Sequence, residues 1–217
     1  MNRIIMLGAP GAGKGTIASQ MEERYNLPHI SSGDIFRENI KNKTKLGNLA
    51  KEYIDKGELV PDDVTIELMI STLDSDKCIN GFILDGFPRT IDQAKKLDDK
   101  FNKLEKPIEL VLVVDATDKQ IIDRLSGRRV CEKCNKTFHV VNIPPKKEGI
   151  CDNCGGKLIQ RKDDNIEVII DRLKTYKECT EPLIEYYNTK GIVKRINGFV
   201  DSQEDRLKMI DTIIKGE

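Results

Sequence analysis

Two groups of residues in this chain have the types and spacings that do chemistry. The first is "GAPGAGKGT", residues 8–16. Glycines let a backbone wrap closely around phosphate oxygens, backbone N–H groups at a helix start supply partial positive charge, and Lys14 adds a mobile cation. The usual pattern has serine or threonine directly after the lysine; here Gly15 intervenes and Thr16 brings the hydroxyl, which weakens its case as a direct Mg²⁺ ligand. The same letters would suit a plain tight turn, but an apolar run before them and a helical pattern after them favour phosphate binding. The second group is Cys131-x2-Cys134 and, after sixteen intervening residues, Cys151-x2-Cys154.

That cysteine spacing fits a tetrahedral four-thiolate zinc site. Four thiolates leave no position for a catalytic water, so the metal would be structural and His139 surplus. Iron would suit the same donors. Two other readings compete. A redox site expects one CxxC at a helix start rather than two pairs among turn residues. A nucleic-acid ribbon draws on Lys133, Lys136, Lys146, Lys147 and Lys157, yet these have no interleaved stacking aromatics beyond Phe138. The segment between the cysteines holds few large apolar residues, too few to order it unaided, and bound zinc would supply what is missing.

Further along, "FILD" ends in Asp85, a carboxylate at the C-terminal edge of an expected strand, where it can hold Mg²⁺ through water. No Ser-His-Asp or Cys-His arrangement supports a covalent mechanism. His29 and His139 read as surface or packing residues, and Cys78 and Cys179 as small apolar packing groups.

These residues need a scaffold, and the 217-residue chain is long enough for one α/β domain with insertions or for two small domains. Lysine plus arginine and aspartate plus glutamate balance at 36 each, so no global field favours nucleic acid or an anionic membrane, and any anion site must be local. The apolar run "IIML" is too short for a signal segment or a membrane span, which with reduced cysteines reads as a cytoplasmic protein.

The opening reads as a buried strand, a glycine turn and a helix starting near Lys14. "GFILD" (81–85), "IELVLVVD" (108–115) and "GIVKRI" (191–196) read as further buried parallel strands. Ile91, Ala94, Leu97, Phe101 and Leu104 repeat at helical spacing, Thr117 with Gln120 forms a capping-box pattern, and Ile166, Ile169, Ile170, Leu173 and Tyr176 begin a long helix that Pro182 must kink or break. Strand and helix alternate, which predicts an α/β fold: a P-loop core with a parallel sheet covered by helices on both faces. Two stretches interrupt the rhythm, a polar helix-prone one at 31–60 and a turn-rich one at 127–164. They divide the chain into a core of 1–30, 61–126 and 165–217 with two mobile lobes.

"GAPGAGKGT", "ISSGD" (30–34) with Arg37, "LDGFPRT" (84–90) with Gln93, "DRLSGRR" (123–129), and "RKDD" (161–164) with Arg172 occur in this order. Together, and across essentially the whole chain, they resemble the adenylate kinases of the long-lid, zinc-containing type. The resemblance implies reversible phosphoryl transfer from MgATP to AMP giving two ADP, a helical AMP-binding insert at 31–60, a small zinc-ribbon β lid at 127–164, Mg²⁺ with ATP, structural Zn²⁺, no nucleic-acid or membrane partner, and a monomer.

Carried over by residue, Gly11, Ala12, Gly13, Lys14, Gly15 and Thr16 would cradle ATP phosphates. Ser32, Arg37, Glu58, Leu59, Val60, Gly86, Phe87, Pro88, Arg89 and Gln93 would hold AMP, with Gln93 reading the adenine edge. Arg124, Arg128, Arg161 and Arg172 would converge on the phosphates as the lid closes. Independently of the resemblance, the acids Asp163 and Asp164 at the far hinge of the lid could pair with those arginines in the closed form. Arg161 and Arg172 also belong to the AMP side. Thr137, Phe138 and the backbone near Val200 would contact the ATP adenine. Residue chemistry agrees: phosphoryl transfer needs positioning and electrostatic clamping rather than a protein nucleophile, and bidentate guanidinium forks suit that task. Lysines outnumber arginines by 25 to 11, yet all six clamping positions beyond Lys14 are arginine. A pyrimidine monophosphate kinase, and a P-loop switch protein gripping nucleic acid with its ribbon, remain the competing readings.

Overall fold

The computed structural model describes residues 1–199 and 202–215. Its strands are β1 (Arg3–Leu7), β2 (His29–Ser31), β3 (Phe82–Asp85), β4 (Leu110–Asp115), β5 (Arg128–Cys131), β6 (Thr137–His139), β7 (Leu158–Ile159) and β8 (Val193–Asn197). Its helices are α1 (Lys14–Tyr25), α2 (Ser32–Lys41), α3 (Lys45–Ile54), α4 (Asp62–Leu73), α5 (Ile91–Lys103), α6 (Asp118–Ser126), α7 (Ile166–Thr175), α8 (Pro182–Asn188) and α9 (Gln203–Lys215).

Five strands form one parallel sheet in the order β2-β3-β1-β4-β8. Period-two alternation sends Ile5 and Leu7 to one face and Ile4 and Met6 to the other, and each set packs into its own core. On the first face lie Phe82, Leu97, Phe101, Leu183 and Tyr187; on the second, Ile17, Met21 and Ile210. Both faces are therefore covered, as the unbroken apolar runs require. Because β1 is central, the loop after it opens at the carboxyl edge beside β3, where open parallel sheets place their ligands.

The second sheet is antiparallel, three-stranded, and ordered β6-β5-β7. Its small core is Cys131, Phe138, Cys151 and Leu158, with Cys134 and Cys154 against it. Helices α2 and α3 share a separate cluster of Phe36, Ala50 and Val60 with Leu46, Tyr53 and Leu68. They start on side-chain caps: Ser31 accepts from the Asp34 N–H and Thr44 from the Gly47 N–H.

Several elements differ from the sequence reading. The short strand β2 lies within the "PHISSGD" stretch, where three residues carry too little pattern to show a strand. β8 is an edge strand with Lys194 and Arg195 exposed. α5 ends at Lys103, which leaves Leu104 53% exposed. In its place Asp98 is buried on that helix and accepts from Tyr186 Oη at 2.9 Å and Lys190 Nζ at 2.5 Å. On α7 only Ile169 and Leu173 are buried, while Ile166 and Ile170 are exposed. The long helix is interrupted just ahead of Pro182, where a proline disturbs the preceding turn. Residues Tyr176–Thr180 form a π-helical turn closed by the Glu181 N–H on the Tyr176 carbonyl at 2.8 Å. Pro182 then opens α8 at a position where a missing N–H costs nothing. The capping box of Thr117 and Gln120 is present at α6. No helix among the described residues is long and apolar enough to cross a membrane.

Candidate active site and metal centre

A cleft of about 830 Å³ opens at the carboxyl ends of β1, β2 and β3 and runs between α2 and α3 on one side and the small sheet on the other. Its floor is the loop from β1 to α1. Gly13 has φ 108°, and a Cβ there would lie 2.7 Å from Arg124 Nη1, so only glycine lets that guanidinium close on the loop. Gly15 faces Asp85, whose Oδ2 a Cβ would approach to 3.2 Å. This explains the departure noted in the motif: the residue after Lys14 must pass close to the carboxylate ending β3. Lys14 Nζ donates to the Gly8 and Ala9 carbonyls at 2.7 and 3.0 Å. Burial, with Arg89, Arg172 and Arg128 adding repulsion against the pull of Asp85, lowers Lys14 to about 8.

Asp85 and His29 form a pair across β3 and β2, with His29 Nε2 3.5 Å from Asp85 Oδ2. That is an electrostatic contact rather than a hydrogen bond, since the same nitrogen has no hydrogen-bonding partner. Burial pushes Asp85 up, but His29 and Lys14 outweigh it and hold the carboxyl below its usual value. His29 is thus neither on the surface nor in the core, as the sequence had suggested; it lines the cleft.

The arginines expected to clamp phosphates converge here. Arg37, Arg89, Arg124, Arg128, Arg161 and Arg172 all line the one cleft. Burial first, and then Arg172, bring Arg89 down to about 10. Burial followed by Arg37 and Arg128 brings Arg161 down to about 10. Arg172 is also lowered by burial, despite the pull of Asp163. Each of these three cations is disfavoured by desolvation and by cationic neighbours, which is the electrostatic state a polyanion relieves.

Backbone carbonyls and neighbouring carboxylates fix their positions. Arg89 Nε donates to the Gly86 carbonyl at 2.8 Å, and Ser32 Oγ donates to the same carbonyl at 2.7 Å. Arg37 Nη2 reaches Asp34 Oδ1 at 2.5 Å. Arg124 Nη1 donates to the Ala12 carbonyl at 2.9 Å, with its guanidinium carbon 3.8 Å above the Phe199 ring. Arg172 Nη1 lies 3.0 Å from Asp163 Oδ2, and Arg128 is clasped by Asp164. Gly11, Thr16, Glu58, Leu59, Val60, Gly86, Pro88, Gln93, Thr137 and Phe138 also line the cleft. Ala12 and Phe87 are wholly buried in the two cores, so neither side chain meets a ligand. Both come with a motif whose neighbours do the contacting. Val200 lies outside the described residues. Arg129 turns back to the carbonyls of Ser126 and Arg128, away from the cleft.

Sequence reasoning missed four residues beside these. Thr180, in the π turn, donates to the Arg89 carbonyl at 2.9 Å. Arg206 and Phe199 stand near Arg124, and Asp62 holds Gln93. Only Phe199, in "NGF" after a strand, carried any local signal.

At the far end, the Sγ atoms of Cys131, Cys134, Cys151 and Cys154 all lie within 4.8 Å of one another, the tightest pairs at 3.4 and 3.6 Å. Sulfurs around one tetrahedral ion, each about 2.3 Å from it, stand roughly 3.8 Å apart, so the donor set fits such an ion. The Lys136 N–H, then Cys154, draw the Cys134 thiol down to about 6. For Cys154 the Gly156 N–H pulls down, but Cys134 and burial outweigh it and push the thiol up to about 12. Four thiols this close cannot all ionise unless a cation sits among them. His139 is not a fifth donor: its Nδ1 accepts from the Val141 and Asn142 N–H groups, and Nε2 faces the Asp123 carbonyl at 3.2 Å.

The family model described as adenylate kinase matches residues 6–192. The chain is 52% identical to an adenylate kinase of Caldicellulosiruptor saccharolyticus, over 96% of this chain and 98% of that protein. It is 51% identical to an adenylate kinase of Acetivibrio thermocellus, over 99% of this chain and 98% of that one. It is 50% identical to an adenylate kinase of Clostridium tetani, over 93% of each. A phosphate-binding loop, an arginine-lined cleft and a whole-length match lead to one conclusion: the chain belongs to the adenylate kinase family.

Proposed function

We infer that the chain catalyses reversible transfer of the γ-phosphoryl group of MgATP to AMP, giving two ADP. The observation that carries this reading is the crowding of six arginines and Lys14 around one cleft, with several of them lowered by burial and mutual repulsion. Two bound nucleotides whose phosphates meet there would supply the missing negative charge.

The loop N–H groups from Gly11 to Thr16 bind the ATP phosphates, and Lys14 leaves its carbonyl partners to follow the transferring group. Arg89 sits between the two phosphate chains, because its Nε is held by the Gly86 carbonyl, which Ser32 also bonds, on the AMP side. Arg124, Arg128, Arg161 and Arg172 gather charge that spreads over the equatorial oxygens in the transition state. Asp85, held ionised by His29 and Lys14, would bind the water shell of Mg²⁺ that comes with ATP, and that ion would shield the phosphate oxygens. The adenine of ATP rests against Thr137 and Phe138. Residues 31–60 act as the AMP-binding insert and 127–164 as the lid, on a core of the rest. Cys131, Cys134, Cys151 and Cys154 would hold zinc, which would stiffen the lid so that Arg128 moves with it and water is excluded from the reacting phosphate. The protein works in the cytoplasm as a monomer without nucleic-acid or membrane partners.

A coupled assay with ATP and different acceptors tests the reading. ADP formed only with AMP supports it. Equal rates with UMP or CMP would support a pyrimidine kinase instead, and phosphate release without any acceptor would support a switch protein.

A further inference from the structure

Gln93 is 1% exposed, and its amide is held from two sides. The Arg89 backbone N–H donates to Oε1 at 2.7 Å, and Nε2 donates to Asp62 Oδ1 at 2.7 Å. The other oxygen of Asp62 accepts from Thr90 Oγ1 at 2.6 Å, while that hydroxyl caps α5 by accepting from the Gln93 N–H at 3.2 Å. The partners dictate which end of the amide is which. A backbone N–H can only donate and an ionised carboxylate can only accept, so Oε1 must face Arg89 and Nε2 must face Asp62.

We propose that Asp62 is a specificity-determining positioning residue: it locks the Gln93 amide one way round and so makes the monophosphate site select 6-amino purines over 6-oxo purines. The inference rests on the reading that Gln93 faces the adenine of AMP. With two of its hydrogen-bonding capacities used, the amide keeps one N–H and one oxygen lone pair for the base. A 6-amino purine offers a donor at the 6-position and an acceptor at N1. A 6-oxo purine such as hypoxanthine or guanine offers the reverse, an acceptor at the 6-position and a donor at N1. A freely turning glutamine matches either base by rotating its amide through half a turn. Here that rotation would put Oε1 against the Asp62 carboxylate and Nε2 against the Arg89 N–H, leaving like facing like on both sides in a buried site. Asp62, at the first position of α4, thus adds to the Arg89 N–H a second constraint on the amide and touches the base only through Gln93.

Asp62→Asn tests this, because asparagine keeps the shape but donates as well as accepts, and so removes the Asp62 half of the clash on turning the amide while the Arg89 N–H half stays. The readout is kcat/KM for IMP divided by kcat/KM for AMP, at fixed MgATP. The ratio is expected to rise at least about tenfold, the worth of one lost hydrogen-bond preference. The KM for AMP should rise, while the KM for ATP stays unchanged. In a Gln93→Ala background, Asp62→Asn should not move the ratio further. Asp62→Ser, which keeps a hydroxyl toward Thr90, is read by the same criteria if Asp62→Asn does not fold. An unchanged ratio in a folded Asp62 variant, with Gln93→Ala still raising the KM for AMP, overturns the lock but not the base-reading role of Gln93. If Gln93→Ala alters neither the KM for AMP nor the ratio, the base-reading role fails and the lock falls with it.

Discussion

Both carboxylate oxygens of Asp164 accept from Arg128, Oδ2 from Nε at 2.8 Å and Oδ1 from Nη2 at 2.5 Å, and the Asp164 side chain is wholly buried. Arg172 Nη1 stands 3.7 Å from the same Oδ1. One buried anion therefore ties the strand entering the small sheet to the segment leaving it and to α7.

Removing that anion leaves the half-buried guanidinium of Arg128 without its counter-charge, while Arg172 keeps Asp163. Asp164→Ala should destabilise the protein by about 3 kcal/mol, the usual cost of breaking a buried pair from one side. Denaturant unfolding of the two proteins measures it. A loss under about 1 kcal/mol would mean the pair is exchanged for water at no cost.

Gly13 faces Arg124 across a gap that no side chain fits. Gly13→Ala should lower kcat/KM for ATP by at least about a hundredfold, by displacing the guanidinium and straining φ near 108°. Stability should fall by only about 1–2 kcal/mol. Steady-state kinetics beside thermal unfolding separate the two effects.

Much of this architecture was legible in the chain. The four apolar runs gave four of the five sheet strands, and the ordered motifs named the arginines that meet in the cleft. What the sequence hid has a common cause. Asp62 reaches Gln93 from 31 positions away, Thr180 reaches Arg89 from 91, and Asp98 is buried by tyrosines on α8. Each is a single polar residue that becomes meaningful only when a distant element arrives. Helix ends were misjudged at Leu104 for a related reason: the apolar spacing continued one step beyond the last helical turn. Pro182 announces an interruption of the helix, but the π form of the turn before it does not show in the sequence, because an i+5 hydrogen bond leaves no mark on residue type.

Lys14 gives a pH signature. Its folded-state value is lowered from 10.5 to about 8, so between these limits the unfolded chain binds more protons. The Lys14 contribution to stability is therefore unfavourable below pH 8 and is relieved as pH rises toward 10.5. Nucleotide phosphates should restore the proton. At pH 9, ATP binding measured by calorimetry in buffers of different ionisation enthalpy should show net proton uptake, which Lys14→Met should abolish. Uptake that persists in that variant would assign the proton to another group.

The cysteine sheet has almost no other core. Chelation, or Cys151→Ser, should lower Tm by at least about 5 °C, while turnover at low temperature stays within about threefold. Metal analysis of the untreated protein should return one zinc per chain. Loss of turnover without unfolding of the small sheet would contradict a structural role for the ion.

The central claim, transfer between two nucleotides meeting in one arginine-lined cleft, is tested most directly from the product side. Incubated with ADP and Mg²⁺ alone and followed by ³¹P NMR, the protein should turn ADP into ATP and AMP in equal amounts, with no inorganic phosphate. Unchanged ADP, or phosphate released in place of ATP, would contradict it.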